Sequence, residues 1–110
     1  MVQITVYQNK KHEYVGFDID GHAGFDESGH DIVCAAVSVL VINTINSIER
    51  FTSDHTSYVS DEDSGCVQFR FQEKPSHDAQ LLLKSMLLGL EEIEDDSAYD
   101  SYIDIIFKEV

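Results

Sequence analysis

One segment of the chain, residues 20–38, concentrates the side chains that can do chemistry. Three glycines interrupt it, and its reactive or polar side chains include His22, His30, Asp31, Cys34 and Ser38. An imidazole close to a thiol can hold the sulfur as a thiolate, the nucleophilic form, and can then move a proton. The residue types are those of a cysteine nucleophile, Cys34, with His22 as its base, but a lone cysteine of this kind is also often a small buried apolar residue.

The elements around this segment predict where the thiol lies. Apolar residues recur at helical spacing from Ile32 to about Glu49, and Asp31 is the expected N-cap. Cys34 then falls in the first turn, where free N–H groups and the helix dipole favour a negative charge. Ser38, one turn later, shares the face of Cys34 and could bond the sulfur or a substrate. Asp31 could orient His22, although its charge would disfavour a thiolate close by.

Two further interpretations concern the stretch between the second strand and this helix. Residues 23–30, with Gly24 and Gly29 as pivots and His30 at the end, have the length and polarity of a lid that closes on a substrate. Metal binding is the other interpretation, with ligands drawn from His22, Asp26, Glu27, His30, Asp31 and Cys34. These residues lack paired Cys-x-x-Cys or His-x-x-x-His spacing, so we predict no metal and no other cofactor.

The scaffold is predicted from hydrophobic periodicity. Alternating segments 1–8 and 13–20 form one hairpin, and 56–60 and 66–73 form a second. A second helix starts after the N-cap Ser76 and ends in the acidic run Glu91–Asp96, and alternation over residues 99–108 predicts a last strand. The expected fold is a single α+β domain, residues 1–110, in the order β-β-α-β-β-α-β. Its mainly antiparallel sheet has about five strands.

Composition limits the function classes. The 110 residues include 21 acidic and 7 basic ones, a formal charge of −14, which argues against direct nucleic-acid binding and favours a basic partner. No near-continuous apolar run exceeds the 11 residues of Ile32–Ile42, so no membrane span is predicted. The first residues do not resemble a signal peptide. The two cysteines, Cys34 and Cys66, lie in different sequence contexts, which predicts reduced thiols in a cytosolic protein. Cys66, which opens a strand, is interpreted as structural.

The first helix is apolar on both sides. Ile32, Ala35, Val39 and Ile42 lie opposite the side expected to face the sheet. A second apolar face indicates either complete burial or contact with another subunit.

Two linked motifs resemble a known family. Gly21-His22-Ala23, followed after a gap by Gly29-His30-Asp31-Ile32-Val33-Cys34-Ala35-Ala36-Val37-Ser38, closely resembles the signature of the ribosomal-processing cysteine protease (Prp, or YsxB-like) family. The resemblance implies a cytoplasmic, homodimeric endopeptidase without a cofactor. It further implies that Cys34 and His22 are the catalytic pair, and that the substrate is the twenty-seventh protein of the large ribosomal subunit, from which an N-terminal extension is removed. The alternative class is a non-enzymatic, acidic ribosome-assembly or regulatory binding module.

Overall fold

A single mixed sheet forms the body of the protein. The computed structural model describes residues 1–21, 28–61 and 65–110, and the side chains of 28–31 lie outside this description. Within the described residues the sheet has five strands, β1 (Val2–Gln8), β2 (Tyr14–Asp20), β3 (Thr56–Asp61), β4 (Cys66–Phe71) and β5 (Ile103–Glu109). Their spatial order is β3-β4-β2-β1-β5, and all neighbours are antiparallel except β1 and β5. The predicted α+β fold and its element order are confirmed.

Both helices of the described chain cover one face of this sheet. They are α1 (Ser28–Phe51) and α2 (His77–Asp95), and a 3-10 turn, Asp100–Tyr102, precedes β5. Alternate strand residues point toward the helices and join them in one buried cluster. The strand members of the cluster are Val2, Ile4, Val6, Phe17, Ile19, Phe69 and Ile103, and α1 and α2 supply most of the rest, including Val33, Val37, Val41, Leu83 and Leu90. The fold therefore has two layers, with the core between helices and sheet.

The start of α2 is fixed by polar contacts that the sequence partly predicts. Ser76 is the N-cap, and its Oγ accepts a hydrogen bond from the N–H of Ala79 at 3.1 Å. One turn into the helix, Gln80 accepts from the N–H of Tyr14 at 2.8 Å and donates to the Tyr14 carbonyl at 2.6 Å. A side-chain amide that pairs with both backbone groups of one residue fastens α2 to the beginning of β2.

Two predicted boundaries are wrong. Helix α1 begins at Ser28 rather than after Asp31, so the helix extends one turn beyond its apolar pattern. Strand β5 begins at Ile103 rather than near Tyr99, because the Asp96 carbonyl accepts hydrogen bonds from the N–H groups of Tyr99 and Asp100 and turns the chain. Alternation over 99–102 therefore does not produce a strand.

The apolar character of α1 has a structural origin. By length and composition alone, Ile32–Phe51 is the one described helix segment that could cross a membrane. Five apolar residues of this segment, Val33, Val37, Val41, Ile45 and Ile48, are buried in the core, and the core helix of a sheet-covered fold passes the same test. The expectation of no membrane partner stays a prediction.

A polar network lies on the face of the sheet opposite the helices. Asp18 accepts hydrogen bonds from the Tyr7 hydroxyl at 2.6 Å and from the Arg70 guanidinium at 2.8 Å, and that guanidinium lies 4.4 Å from the Tyr7 ring centroid. Partial burial opposes the charged form of Asp18, but the bonds from Arg70 and Tyr7 outweigh it and hold the pKa of this carboxyl below its usual value. The network links β1, β2 and β4.

We predict that Asp18→Asn lowers the free energy of unfolding at neutral pH. The folded-state pKa of Asp18 is depressed, so the contribution of its carboxylate is present above about pH 4 and is lost as the pH falls through the folded-state value. Urea unfolding of both proteins at several pH values measures the difference, which should shrink toward acid. A difference that is constant from pH 7 to pH 3 would contradict this origin. Asp104→Asn on the edge strand β5 is the matched control.

Candidate active site

A cavity of about 450 Å³ lies between the first half of α1 and the strands β2, β3 and β4. Apolar side chains make up much of its described wall, namely Val2, Ile19, Val37, Val41, Ile42 and Val67. The polar part of that wall comes from Cys34, Ser38, Tyr58, Ser60, Asp61 and Cys66. A concave site with an apolar wall and few polar groups is typical of a site for a small molecule or a peptide side chain.

Cys34 stands at the α1 wall of this cavity. Its neighbours Val33 and Val37 are fully buried in the core, whereas Cys34 is half-buried and Ser38 is exposed. A step of one residue turns a helix by about 100°, so residues that directly follow the buried positions lie at the edge of the apolar stripe. Core packing therefore turns both Cys34 and Ser38 toward the cavity, as their predicted shared face requires.

The first-turn position predicted for Cys34 is wrong. Because α1 begins at Ser28, Cys34 is its seventh residue and lies in the second turn. The N–H groups left unpaired by an α-helix are those of its first four residues, and the dipole effect fades beyond the first turn. The amide of Cys34 is therefore part of the helical hydrogen-bond ladder, and its thiol receives little of the stabilisation of negative charge that a first-turn position predicted.

His22, the predicted base, lies outside the described residues, but the residue before it is described. Gly21 lines the same cavity as Cys34. A Cβ on Gly21 would lie 2.6 Å from the Cα of Val2, a separation that no side chain tolerates. The glycine thus lets the chain leave β2 close against β1, at the wall of the cavity.

The remaining predicted residues divide into two groups. Gly24, with Asp26 and Glu27, is outside the described residues, and the side chains of His30 and Asp31 are outside the description as well. Gly29 and His30, predicted as the end of a lid, lie in the first turn of α1 instead. The apolar period starts only at Ile32, which is why the sequence placed this polar turn in a loop. Among side chains that the structure does describe, no three potential metal ligands cluster.

Strands β3 and β4 contribute a wall of the cavity that was not predicted from the sequence. Tyr58, Ser60 and Asp61 line the cavity, and so does Cys66, which was interpreted as structural. The Cys66 thiol also donates to the Asp20 carboxylate, with 3.7 Å between Sγ and Oδ1. The alternation of the second hairpin contained a signal for this wall. Tyr58 and Ser60 lie directly opposite the apolar residues Phe69 and Val67 of β4, so their side chains lie on the same face of the sheet.

Comparison with known proteins identifies the family. The family description "Cysteine protease Prp" matches residues 1–104. The ribosomal processing cysteine protease Prp of Staphylococcus aureus is 32% identical over 98% of this chain and 100% of its own length. The chain belongs to the Prp family of cysteine proteases.

Solved structures of the Staphylococcus aureus Prp protease agree with this assignment. One, in complex with a substrate peptide, has a TM-score of 0.91 and 30% identity, covering 98% of this chain and 100% of its own. Another, with a covalently linked product peptide, has a TM-score of 0.87 and 31% identity at the same coverage. The Prp fold of this chain and its enzyme class, cysteine protease, are therefore established.

Proposed function

We propose that this protease removes the N-terminal extension of the twenty-seventh protein of the large ribosomal subunit in the cytoplasm. The observation that carries the proposal is the position of Cys34, on a core-anchored helix and in the wall of a largely apolar cavity. The Prp protease of Staphylococcus aureus is named for ribosomal processing, and its solved structures hold a substrate peptide and a covalently linked product peptide. Cleavage of that ribosomal protein follows from the family resemblance of the two motifs.

The proposed chemistry uses Cys34 as the nucleophile and His22 as the acid and base. His22 accepts the thiol proton, and the thiolate forms a bond with the scissile carbonyl carbon. The C–N bond then breaks, and the imidazolium gives its proton to the leaving amine. In the second half His22 takes a proton from water, which attacks the thioester and releases the new carboxyl terminus and the Cys34 thiolate. Ser38 and Asp31 are the candidates for orienting the thiol, the imidazole or the substrate.

Cys34→Ala and His22→Ala should each reduce cleavage of the extended ribosomal protein by at least about 10³-fold, because each removes a member of the acid–base and nucleophile pair. The new N-terminus formed by the wild type is read by sequencing, and circular dichroism checks the fold of both variants. Retention of cleavage by either variant would contradict the assigned pair.

A thiol probe separates the two cysteines without a substrate. Near neutral pH, Cys34 should react with iodoacetamide much faster than Cys66, and His22→Ala should remove this advantage. Mass spectrometry of tryptic peptides gives both rates in one sample. His55→Ala, at an exposed histidine directly before β3, is the matched histidine control.

Charge supports the choice of a basic substrate. The chain has 21 acidic and 7 basic residues, and ribosomal proteins are rich in lysine and arginine. A strongly negative surface draws a basic partner by long-range attraction before the cleft reads its sequence, and salt weakens this attraction.

Cleavage of the full-length ribosomal protein should therefore be slower at 0.5 M than at 0.05 M NaCl. A short neutral peptide that contains the same cleaved bond should show little change, because it lacks the charge that is attracted. The ratio of kcat/KM at the two salt concentrations measures both effects. Equal salt dependence for the two substrates would remove the steering role.

We also propose a homodimer that buries the outer face of α1. Ile32, Val39 and Ile42 on this face are 53%, 69% and 50% exposed, and their spacing of seven and three residues places them in one row. A row of large exposed aliphatic side chains on one helix is typical of a protein interface.

Val39→Glu should shift the protein to a monomer, because it places a charge at the centre of the row. Sedimentation velocity at micromolar protein measures the change. Leu81→Glu is the matched control, since Leu81 is a similarly exposed leucine on α2. A wild-type protein that sediments only as a monomer at this concentration would refute the dimer.

A further inference from the structure

The outer edge of β3 is an open hydrogen-bonding surface beside the cavity. In the pairing of β3 with β4, the N–H of Gln72 donates to the carbonyl of His55 at 2.8 Å, and the register continues without a shift to Asp61 opposite Cys66. Hydrogen-bonded and non-bonded pairs alternate along an antiparallel ladder. The backbone groups of residues 57 and 59 therefore point to β4, and those of Tyr58 and Ser60 point outward.

The same two residues also send their side chains into the cavity. Tyr58 is opposite Phe69 and Ser60 is opposite Val67, and side chains of directly paired residues lie on one face of a sheet. Phe69 belongs to the core, so this is the helix-covered face. Tyr58, Ser60 and Cys34 all line the cavity. Free backbone groups and cavity-facing side chains thus occur on the same two residues.

The residues of this edge whose backbone groups point outward carry no blocking group. Natural sheets block exposed edges with charged residues, proline, bulges or covering groups, whereas the first five residues of β3, Thr56-Ser57-Tyr58-Val59-Ser60, are uncharged and free of proline, and only the last residue, Asp61, is charged. No hydrogen bond from the described part of the chain reaches the outward N–H of Tyr58 or Ser60. The opposite edge differs, because Glu94 accepts a hydrogen bond from the N–H of Ile105 in β5 at 2.8 Å.

We propose that the protease binds its substrate by adding the segment around the cleaved bond to the β3 edge as an extra strand. The backbone of the substrate exchanges hydrogen bonds with Tyr58 and Ser60, and every second substrate side chain enters the cavity next to Cys34. Because the cavity wall is largely apolar, the entering side chains are apolar ones. This inference rests on the proposed cleavage of the ribosomal protein at Cys34, and it specifies how that site holds its substrate.

An ester scan of the substrate tests the pairing. In a short peptide that contains the cleaved bond, each amide other than the scissile one is replaced in turn by an ester, which removes one N–H and keeps the side chain. Esters at every second position near the cleaved bond should lower kcat/KM by about threefold to tenfold, the loss expected for one hydrogen bond. Esters at the intervening positions should change it by less than about twofold.

A pair of proline variants tests the edge from the side of the enzyme. Ser60→Pro removes an outward N–H and places a ring on the edge, a position where strands accept proline. It should lower kcat/KM for the peptide by at least about tenfold, while alkylation of Cys34 by iodoacetamide stays within twofold of the wild type. Glu109→Pro makes the same change at an outward N–H of β5, since the N–H of Val110 points to Gln8 in β1, and it should leave both rates unchanged.

The outcomes separate the two proposals. A wild-type enzyme that does not cleave the unmodified peptide or the extended ribosomal protein refutes the proposed ribosomal substrate and this inference with it. Cleavage without a two-residue alternation in the ester scan refutes the strand pairing alone. If Ser60→Pro is unfolded, the ester scan decides. If it splits a dimer and leaves cleavage of the peptide unchanged, the edge pairs with a second copy of the chain, and the proposal is wrong.

Discussion

The packing of α1 on the sheet is the constraint on which the site depends. Val33, Val37 and Ile48 are fully buried along one stripe of the helix, and each aliphatic side chain of this size contributes roughly 1.5–3 kcal/mol when it leaves water. A rotation of the helix by one residue would expose the stripe and lose most of that energy. Cys34 and Ser38 each directly follow a buried residue of this stripe, so the stripe fixes the direction in which their side chains point. Apolar packing, spread over many residues, sets the position of a single sulfur atom.

The start of α1 at Ser28 changes how that sulfur is activated. In the second turn, Cys34 receives little of the stabilisation that a helix terminus gives an anion. The chain as a whole has three acidic residues for each basic one, and a negative field disfavours a thiolate while it attracts a basic substrate. In the proposed mechanism a local positive charge, the imidazolium of His22, offsets both effects. The proposed attraction of substrate and the ionisation of the nucleophile thus make opposite electrostatic demands.

Local patterns in the sequence predicted the parts of the fold that local physics controls. The hairpins follow from alternation around polar turns, and Ser76 caps α2 because its hydroxyl can reach the N–H of Ala79. The parallel pairing of β5 with β1 joins the two ends of the chain, so no local signal contains it. The cavity wall at Tyr58 and Ser60 was missed for the same reason, since it depends on which strand lies beside β4. The place of Cys34 in the second turn was missed because the apolar pattern begins only at Ile32, so the polar first turn of α1 carries no helical signal.

The two edges of the sheet show how one fold can be both closed and open to another chain. At β5, Glu94 occupies an outward N–H, and Lys108 and Glu109 add charge to the strand. At β3 the backbone groups stay open, yet the strand is held in place, because its partner β4 is anchored by Phe69, which stacks on Phe17 at 5.0 Å and meets Phe71 edge-on at 5.2 Å. An edge that is open but rigid loses little conformational entropy when it pairs with an extended peptide. In the proposed binding mode α1 holds the sulfur and β3 holds the peptide backbone, and positioning of two reacting groups in this way lowers the barrier of a reaction.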